Sequence, residues 1–130
     1  MQILLDTHVF LWWINSPNHL SGHARDLLSD PQNSFILSLV SVWELAIKIR
    51  LGKLHFSEPL DQFVSCEVTG NQFHHLDIKL QHVTRVATLP LHHRDPFDRL
   101  LIAQSLVEEM PILSADGTFD SYGVTRLWSS

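Results

Sequence analysis

Short apolar runs alternate with segments of helical periodicity along most of the chain. Runs of strand length, rich in apolar residues, occur at residues 1–5, 34–39, 73–78, 111–114 and 124–128. Between them, apolar residues recur at helical spacing at residues 8–14, 21–28, 41–51, 59–68, 79–88 and 95–110. Strands that alternate with helices predict an α/β fold, in which a central parallel sheet of about five short strands is flanked by helices.

Two of the predicted helices have recognisable boundaries. Ser41 and Glu44 have the S-x-x-E spacing of a capping box, and Gly52 supplies a C-terminal stop. Asp95 followed by Pro96 is the pattern of an N-cap and a first helical position. We therefore expect helices to begin at Ser41 and at Asp95.

The composition narrows the class of protein. With 130 residues, 45% of them hydrophobic, we expect a single domain over residues 1–130 with its own core. The one cysteine, Cys66, cannot form an internal disulfide, which fits a reducing compartment. No apolar run approaches the roughly 20 residues of a membrane span, and the start, MQILLD, lacks the basic region of a signal peptide. We expect a cytoplasmic protein.

Four acidic residues fall where such a fold would bring them together. Asp6 and Asp116 end two predicted strands, Asp98 lies in the first turn of a predicted helix, and Glu44 lies in another helix. Each has a structural explanation as well, as an N-cap, a capping box or a turn. The carboxyl ends of parallel strands meet at one edge of a sheet, and functional groups gather there.

Carboxylates that converge in this way predict a metal site. Packed closely, they repel one another and their pKa values rise unless a cation is present. Hard oxygen ligands suit Mg²⁺ or Mn²⁺, which can activate a water and stabilise charge on a phosphate. The net charge of −5 argues against binding nucleic acid through bulk electrostatics, but not against an enzyme whose acids are neutralised by metal. Whether one or two ions bind stays open.

Four motifs extend this interpretation. They are LLDTHVFLWW, SVWELAIK with the following LGKL, LPLHHRDPFDRLLIAQ and ILSADGTFDSYGV, in that order. Together they resemble the PIN-domain family, and within it the VapC-type toxin ribonucleases of bacterial toxin–antitoxin pairs, over residues 4–128. The resemblance implies a PIN fold, a Mg²⁺-dependent endoribonuclease that leaves 5′-phosphate and 3′-hydroxyl ends on RNA, an antitoxin partner and a homodimer.

The resemblance also assigns roles to the four acids. Asp6, Glu44, Asp98 and Asp116 would form the acidic catalytic site. Asp6 and Asp98 would be the most direct metal ligands. Glu44 and Asp116 would complete the site, directly or through water.

Further residues would support these acids. Thr7 follows the first acid, and Ser114 stands where family members often carry Thr, a departure that keeps a hydroxyl. Arg94, Arg99 and Lys48 would bind RNA phosphates at the rim, although Lys48 is equally placed to pair with Glu44, four residues earlier. Asp95 is interpreted as an N-cap.

The histidines and tryptophans indicate less about function than the acids do. None of the nine histidines has H-E-x-x-H spacing, so no dedicated zinc site is expected. His8 and His93 would border the acidic pocket, but a structural role is the first expectation for both. Trp12 and Trp13 lie about 100° apart on a helix, so one is expected in the core and the other at a partner surface.

Two alternative functions remain open. The first is a phosphohydrolase with Asp6 as covalent nucleophile, but such enzymes commonly need a second Asp two residues on, where this chain has His8. The second is a non-catalytic module, whose acids only cap helices and whose apolar surface binds a protein partner.

Overall fold

The computed structural model describes residues 1–129, as a parallel sheet with helices packed on it. The strands are β1 (Gln2–Leu5), β2 (Ser34–Ser38), β3 (His74–Leu76), β4 (Ile112–Leu113) and β5 (Arg126–Leu127). The helices are α1 (Thr7–Asn15), α2 (Gly22–Ser29), α3 (Leu39–Arg50), α4 (Leu60–Gly70), α5 (Leu80–Val86) and α6 (Pro96–Glu108). Short 3₁₀ helices occupy Pro17–His19 and Gly117–Tyr122.

The strand order places the first strand at the centre of the sheet. All pairings are parallel, in the order β3-β2-β1-β4-β5, which confirms the predicted α/β fold with a parallel sheet of five short strands. The direction in which the chain adds strands reverses between β1 and β4. Ligand sites of such sheets form at the carboxyl ends of the strands at this switch point.

Helices cover both faces of the sheet. Successive side chains of a strand point to opposite faces, so the residues of β1 pack alternately against the two sets of helices. On one face, Ile3 and Leu5 of β1 pack with buried residues of α1, α2 and α4. On the other face, Leu4 packs with buried residues of α6. Burying an aliphatic side chain of this size stabilises the fold by about 1.5–3 kcal/mol.

The most buried helix is α6, as its apolar sequence predicts. It has 13 residues, and every residue from Leu100 to Ser105 is buried. Within residues 1–129, however, this and every other helix is too short or too polar to cross a membrane.

The predicted start of the third helix is wrong. The helix begins at Leu39, directly after β2, and its N-cap is Ser38, whose side chain accepts the Val40 N–H at 3.0 Å. Ser41 is therefore inside the helix and buried, where its hydroxyl accepts a hydrogen bond from Thr7 at 2.8 Å. The capping box of Ser41 and Glu44 does not form, because the strand runs into the helix without a turn.

The edge strands are shorter than their apolar runs. β3 covers three residues of the predicted 73–78, and β5 covers two of the predicted 124–128. Each lies at an edge of the sheet and pairs on one side only. The helix predicted over residues 79–88 is likewise shortened, to Leu80–Val86.

Candidate active site

The carboxyl ends of β1 and β4 bring Asp6 and Ser114 together. Leu5 and Leu113 are register partners, so the residues that follow them leave the sheet side by side. The Ser114 hydroxyl donates to Asp6 Oδ2 at 2.6 Å, and the backbone N–H of His8 donates to Oδ1 at 3.2 Å. Asp6 is thus both the N-cap of α1 and a buried carboxylate, with its side chain 6% exposed.

Two acids at the start of α6 have different roles. Asp95 is the N-cap, as predicted: its Oδ1 accepts the N–H groups of Phe97 and Asp98 at 2.8 and 3.1 Å. The Asp98 side chain is left free to face the other acids. Burial, together with the negative charges of Asp6 and Asp95, raises the pKa of Asp98 to about 7, although His93 acts to lower it.

Glu44 projects into the same region from α3. Its side chain is 4% exposed, and Oε2 lies 2.9 Å from the Lys48 ammonium. Within residues 1–129, Oε1 is buried and has no hydrogen-bond partner. The charge of Glu44 contributes to the raised pKa values of Asp98 and His8. Because the capping box does not form, helix capping does not explain the presence of an acid at position 44.

Asp116 follows β4 and caps the 3₁₀ helix at Gly117–Tyr122. Its Oδ1 accepts the Thr118 N–H at 3.0 Å and also the Thr118 hydroxyl. Although burial acts to raise it, these hydrogen bonds, together with one from His93, hold the pKa of Asp116 below its usual range. Its backbone N–H donates to the Ser114 hydroxyl at 3.1 Å, so one serine joins Asp116 to Asp6.

His93 lies between two of the acids, which is closer to the site than the sequence predicted. Its Nε2 is 3.0 Å from Asp98 Oδ2 and 3.3 Å from Asp116 Oδ2. One ligand atom from each of these three residues falls within 4.8 Å of the others. In the sequence, His93 lies five residues before Asp98 in the same motif, and this proximity could have indicated that the two side chains meet.

His8 stands at the rim of the site, with its side chain 54% exposed. Its Nδ1 lies 3.8 Å from Asp6 Oδ1, and this interaction with Asp6 raises the pKa of His8 despite partial burial. Both histidines that were assigned a structural role from sequence therefore border the acids.

The remaining predicted site residues are divided between the acids and the scaffold. Thr7 joins α1 to α3 through its hydrogen bond to Ser41, directly beside Asp6. Lys48 is paired with Glu44. Arg99 instead points to the segment before α6, where its guanidinium donates to the carbonyls of Pro90 and Val86 at 2.9 and 3.3 Å, and to the Tyr122 hydroxyl.

The two tryptophans of α1 are both half-buried against the core, rather than one inside and one outside. Trp13 donates its Nε1–H to Asn71 at 3.0 Å, and Trp12 stacks on His19. The largest aromatic side chain exposed on a helix is Trp43 of α3, at 48%.

The four predicted acids fit a hard divalent cation, because their ligand atoms are carboxylate oxygens, the kind that Mg²⁺ and Mn²⁺ prefer. Among residues 1–129, however, the group whose ligand atoms lie within 4.8 Å of one another is His93, Asp98 and Asp116, so Asp6 and Glu44 lie outside it. The raised pKa of Asp98 and the unpartnered oxygen of Glu44 are what a carboxylate cluster shows when no cation neutralises it.

Known proteins share both the sequence pattern and the fold. The PIN domain family model matches residues 3–124. Ribonuclease VapC16 of Mycobacterium tuberculosis is 44% identical over 43 residues, which are 33% of this chain and 30% of that protein, so less than a third of that relative's length is matched.

Solved structures resemble the whole chain at low sequence identity. The structure of VapBC2 from Rickettsia felis, bound to a DNA fragment from its promoter, matches with a TM-score of 0.73 and 13% identity over 99% of this chain and 100% of that one. FitAcB from Neisseria gonorrhoeae matches with a TM-score of 0.65 and 16% identity, over 98% and 96%. VapBC-5 from Mycobacterium tuberculosis matches with 0.58 and 16%, over 97% and 95%. At these identities the likeness shows the fold alone.

Proposed function

Because this chain belongs to the PIN domain family, we propose that it is a divalent-metal-dependent endoribonuclease that acts as the toxin of a toxin–antitoxin pair. The observation that carries the proposal is that Asp6 and Glu44 lie close enough to Asp98 for their charges to raise its pKa, with Asp116 joined to Asp98 through His93 and to Asp6 through Ser114. The similarity to Ribonuclease VapC16 supports ribonuclease activity. The fold shared with VapBC-5, a member of a family of toxin–antitoxin systems, supports the biological role.

The proposed metal ligands are Asp6 and Asp98, with Glu44 and Asp116 completing the site. When bound, Mg²⁺ or Mn²⁺ would lower the pKa of a coordinated water and neutralise charge that develops on the scissile phosphate.

The chain's own residues prepare this site. Ser114 fixes the orientation of Asp6 by donating to one of its oxygens. Lys48 compensates the buried charge of Glu44 from one side, so the opposite oxygen stays available. Asp98 must be ionised to act as a ligand, and its raised pKa makes that step depend on pH near neutrality.

Binding of the RNA chain is assigned to the rim of the acidic site. Arg94 is exposed and follows His93 directly, and His8 is exposed beside Asp6. Arg94 is therefore a better candidate for a phosphate contact than Arg99, whose guanidinium is engaged by the scaffold. A cationic side chain at the rim can hold a phosphate while the acids hold the cation.

The test is cleavage of RNA by the purified chain. Wild type, Asp98→Asn and Asp26→Asn are incubated with a labelled structured RNA and either Mg²⁺ or Mn²⁺. Asp26 lies exposed on α2, so its variant is a matched control. We expect wild type and Asp26→Asn to cleave, leaving 5′-phosphate and 3′-hydroxyl ends, and Asp98→Asn to be inactive.

The biological role is tested by expression in cells. Wild type should stop growth, Asp98→Asn should not, and co-expression of the cognate antitoxin should restore growth. If the wild-type chain binds neither cation by calorimetry and leaves RNA uncut, the non-catalytic binding module becomes the better interpretation.

A homodimer is part of the proposal. Apolar side chains are exposed at four-residue intervals along α3 and at the residue that follows it, which is the spacing of one helix face. They are Leu39, Trp43 and Ile47 of α3, and Leu51, the C-cap. Light scattering after gel filtration should give twice the monomer mass, and Trp43→Glu should give the monomer mass. A monomeric wild type would contradict this part of the proposal.

A further inference from the structure

The hydrogen bonds of the neutral His93 ring determine which of its two nitrogens carries the proton. The backbone N–H of Asp95 donates to His93 Nδ1 at 3.1 Å. A backbone amide can only donate, so Nδ1 must accept, and the proton of the neutral ring is on Nε2. That N–H donates to Asp116 Oδ2 at 3.3 Å, and Nε2 also lies 3.0 Å from Asp98 Oδ2, close enough for its positive partial charge to favour that carboxylate.

The position of this N–H conflicts with a bound cation. The ligand atoms of His93, Asp98 and Asp116 all lie within 4.8 Å of one another. A Mg²⁺ ion sits about 2.0–2.1 Å from each carboxylate oxygen that binds it. An ion held between these two oxygens on the side of the ring would meet the Nε2–H, which has no lone pair to offer and carries positive partial charge. The ring therefore competes with the ion for this side of the two oxygens.

The backbone around His93 is anchored independently of its ring. The N–H groups of His92 and His93 donate to the Tyr122 hydroxyl at 2.9 and 2.6 Å. The His93 side chain is 20% exposed, so it has a path to solvent. The ring can therefore rotate away while the segment before α6 keeps its course.

We propose that His93 is a positioning residue that takes the cation's place, bridging Asp98 and Asp116 until a divalent cation displaces its ring. The inference rests on the proposed metal-dependent function. It makes His93 a competitor of the cation rather than one of its ligands. The bridge holds the two acids together in the metal-free protein and lowers the affinity for metal.

Two substitutions of His93 distinguish the contact made by Nδ1 from the contacts made by Nε2. His93→Asn keeps an oxygen near the position of Nδ1, which can still accept the Asp95 N–H, but it is too short to reach the acids. His93→Gln extends an amide N–H toward the position of Nε2 and preserves the bridge. The Asn variant thus removes the competition and the Gln variant retains it.

Calorimetric titration with Mn²⁺ compares the two variants with wild type. We expect His93→Asn to bind Mn²⁺ on the order of tenfold more tightly, the factor that corresponds to one hydrogen bond to a charged group. His93→Gln should stay within about twofold of wild type, because it donates the same hydrogen bond. Equal or weaker binding by His93→Asn overturns the inference, and weaker binding would make His93 a ligand.

The same measurements distinguish an error in the role of His93 from an error in the proposed function. If wild type binds neither Mn²⁺ nor Mg²⁺ and does not cleave RNA, both proposals are wrong. If wild type binds and cleaves but His93→Asn gains no affinity, only the role of His93 is wrong.

Nitrogen-15 spectra of the histidines give a readout that does not depend on activity. In the metal-free protein, the His93 signals, assigned by their loss in His93→Asn, should be those of the Nε2–H form. Saturating Mg²⁺ should shift them and leave those of His74, on the edge strand β3, unchanged. Signals of the Nδ1–H form, or signals that Mg²⁺ does not move, would overturn the inference.

Discussion

The hydroxyl of Ser114 donates to Asp6 across 2.6 Å, although 108 positions separate the two residues in the chain. The same hydroxyl accepts the backbone N–H of Asp116 at 3.1 Å. One buried oxygen therefore sets the orientation of the first acid and the position of the last. Neighbouring strands β1 and β4 make this possible, because they end at the same level of the sheet.

Replacing Ser114 should weaken cation binding without removing a ligand. Ser114→Ala removes both hydrogen bonds, and outer-shell partners of this kind affect metal affinity by about tenfold or more. Ser114→Thr keeps the hydroxyl and is the matched control. Titration calorimetry with Mn²⁺ measures the effect; affinity in a folded Ser114→Ala equal to that of wild type would contradict the role assigned to the serine.

Asp98→Asn should stabilise the protein when no divalent cation is present. The pKa of Asp98 is raised in the fold to about 7 from 3.8. Its contribution to stability is therefore fully present below the unfolded pKa and is lost as pH rises toward 7. At pH 8 the fold carries an unfavourable carboxylate, which the neutral amide removes.

Thermal unfolding in the presence of a chelator measures this difference. At pH 8 we expect the Tm of Asp98→Asn to exceed that of wild type by at least about 3 °C, the shift that corresponds to about 1 kcal/mol in a chain of this size. The difference should shrink at pH 5, where wild-type Asp98 keeps its proton. A lower Tm for the variant at pH 8 would show that Asp98 is not destabilising.

Binding of the cation should release protons below neutral pH. At pH 6 Asp98 is mostly protonated, because its pKa is about 7, and a ligand carboxylate must be ionised. Calorimetry in buffers of different ionisation enthalpy should give release of about one proton per binding event at pH 6 and close to none at pH 8.5. Equal release at the two pH values would mean that the site is already ionised at pH 6.

Substitution of Arg99 should affect the stability of the fold, whereas substitution of Arg94 should affect RNA binding. The guanidinium of Arg99 holds two backbone carbonyls and the Tyr122 hydroxyl, so Arg99→Gln should lower the free energy of unfolding by about 1–3 kcal/mol. Arg94→Gln should leave stability unchanged and weaken RNA binding, with a smaller salt dependence. Denaturant unfolding and RNA binding at two salt concentrations separate the effects. An Arg99→Gln variant as stable as wild type, but with weaker RNA binding, would reverse the two roles.

The sequence predicted the positions of the acids in the fold better than it predicted the residues that contact them. Asp6 and Asp116 were recognisable because apolar runs end at them, and a strand end has a fixed place in a parallel sheet. Asp95 was recognisable as an N-cap because the following Pro96 marks the first helical position. These features are local, so a short stretch of sequence contains them.

The rest depended on contacts between distant segments. In the sequence, Ser38 and Ser41 are both possible N-caps of the third helix, and the end of β2 at Ser38 decides that Ser38 caps it and that Ser41 lies inside it. The position of His93 depends on the path of the chain between α5 and α6, which Tyr122 anchors from near the end of the chain. No local pattern describes such a contact.

The strand order has a consequence for how the protein is made. β1 is synthesised first, yet it lies at the centre of the sheet, and its neighbour β4 is synthesised more than a hundred residues later. A growing chain that has not reached Ser114 lacks both the hydroxyl that orients Asp6 and the last acid, Asp116. Under the proposed function, the site cannot assemble before residues 114–116 are synthesised, so a nascent chain that ends before them would not cleave the message from which it is translated.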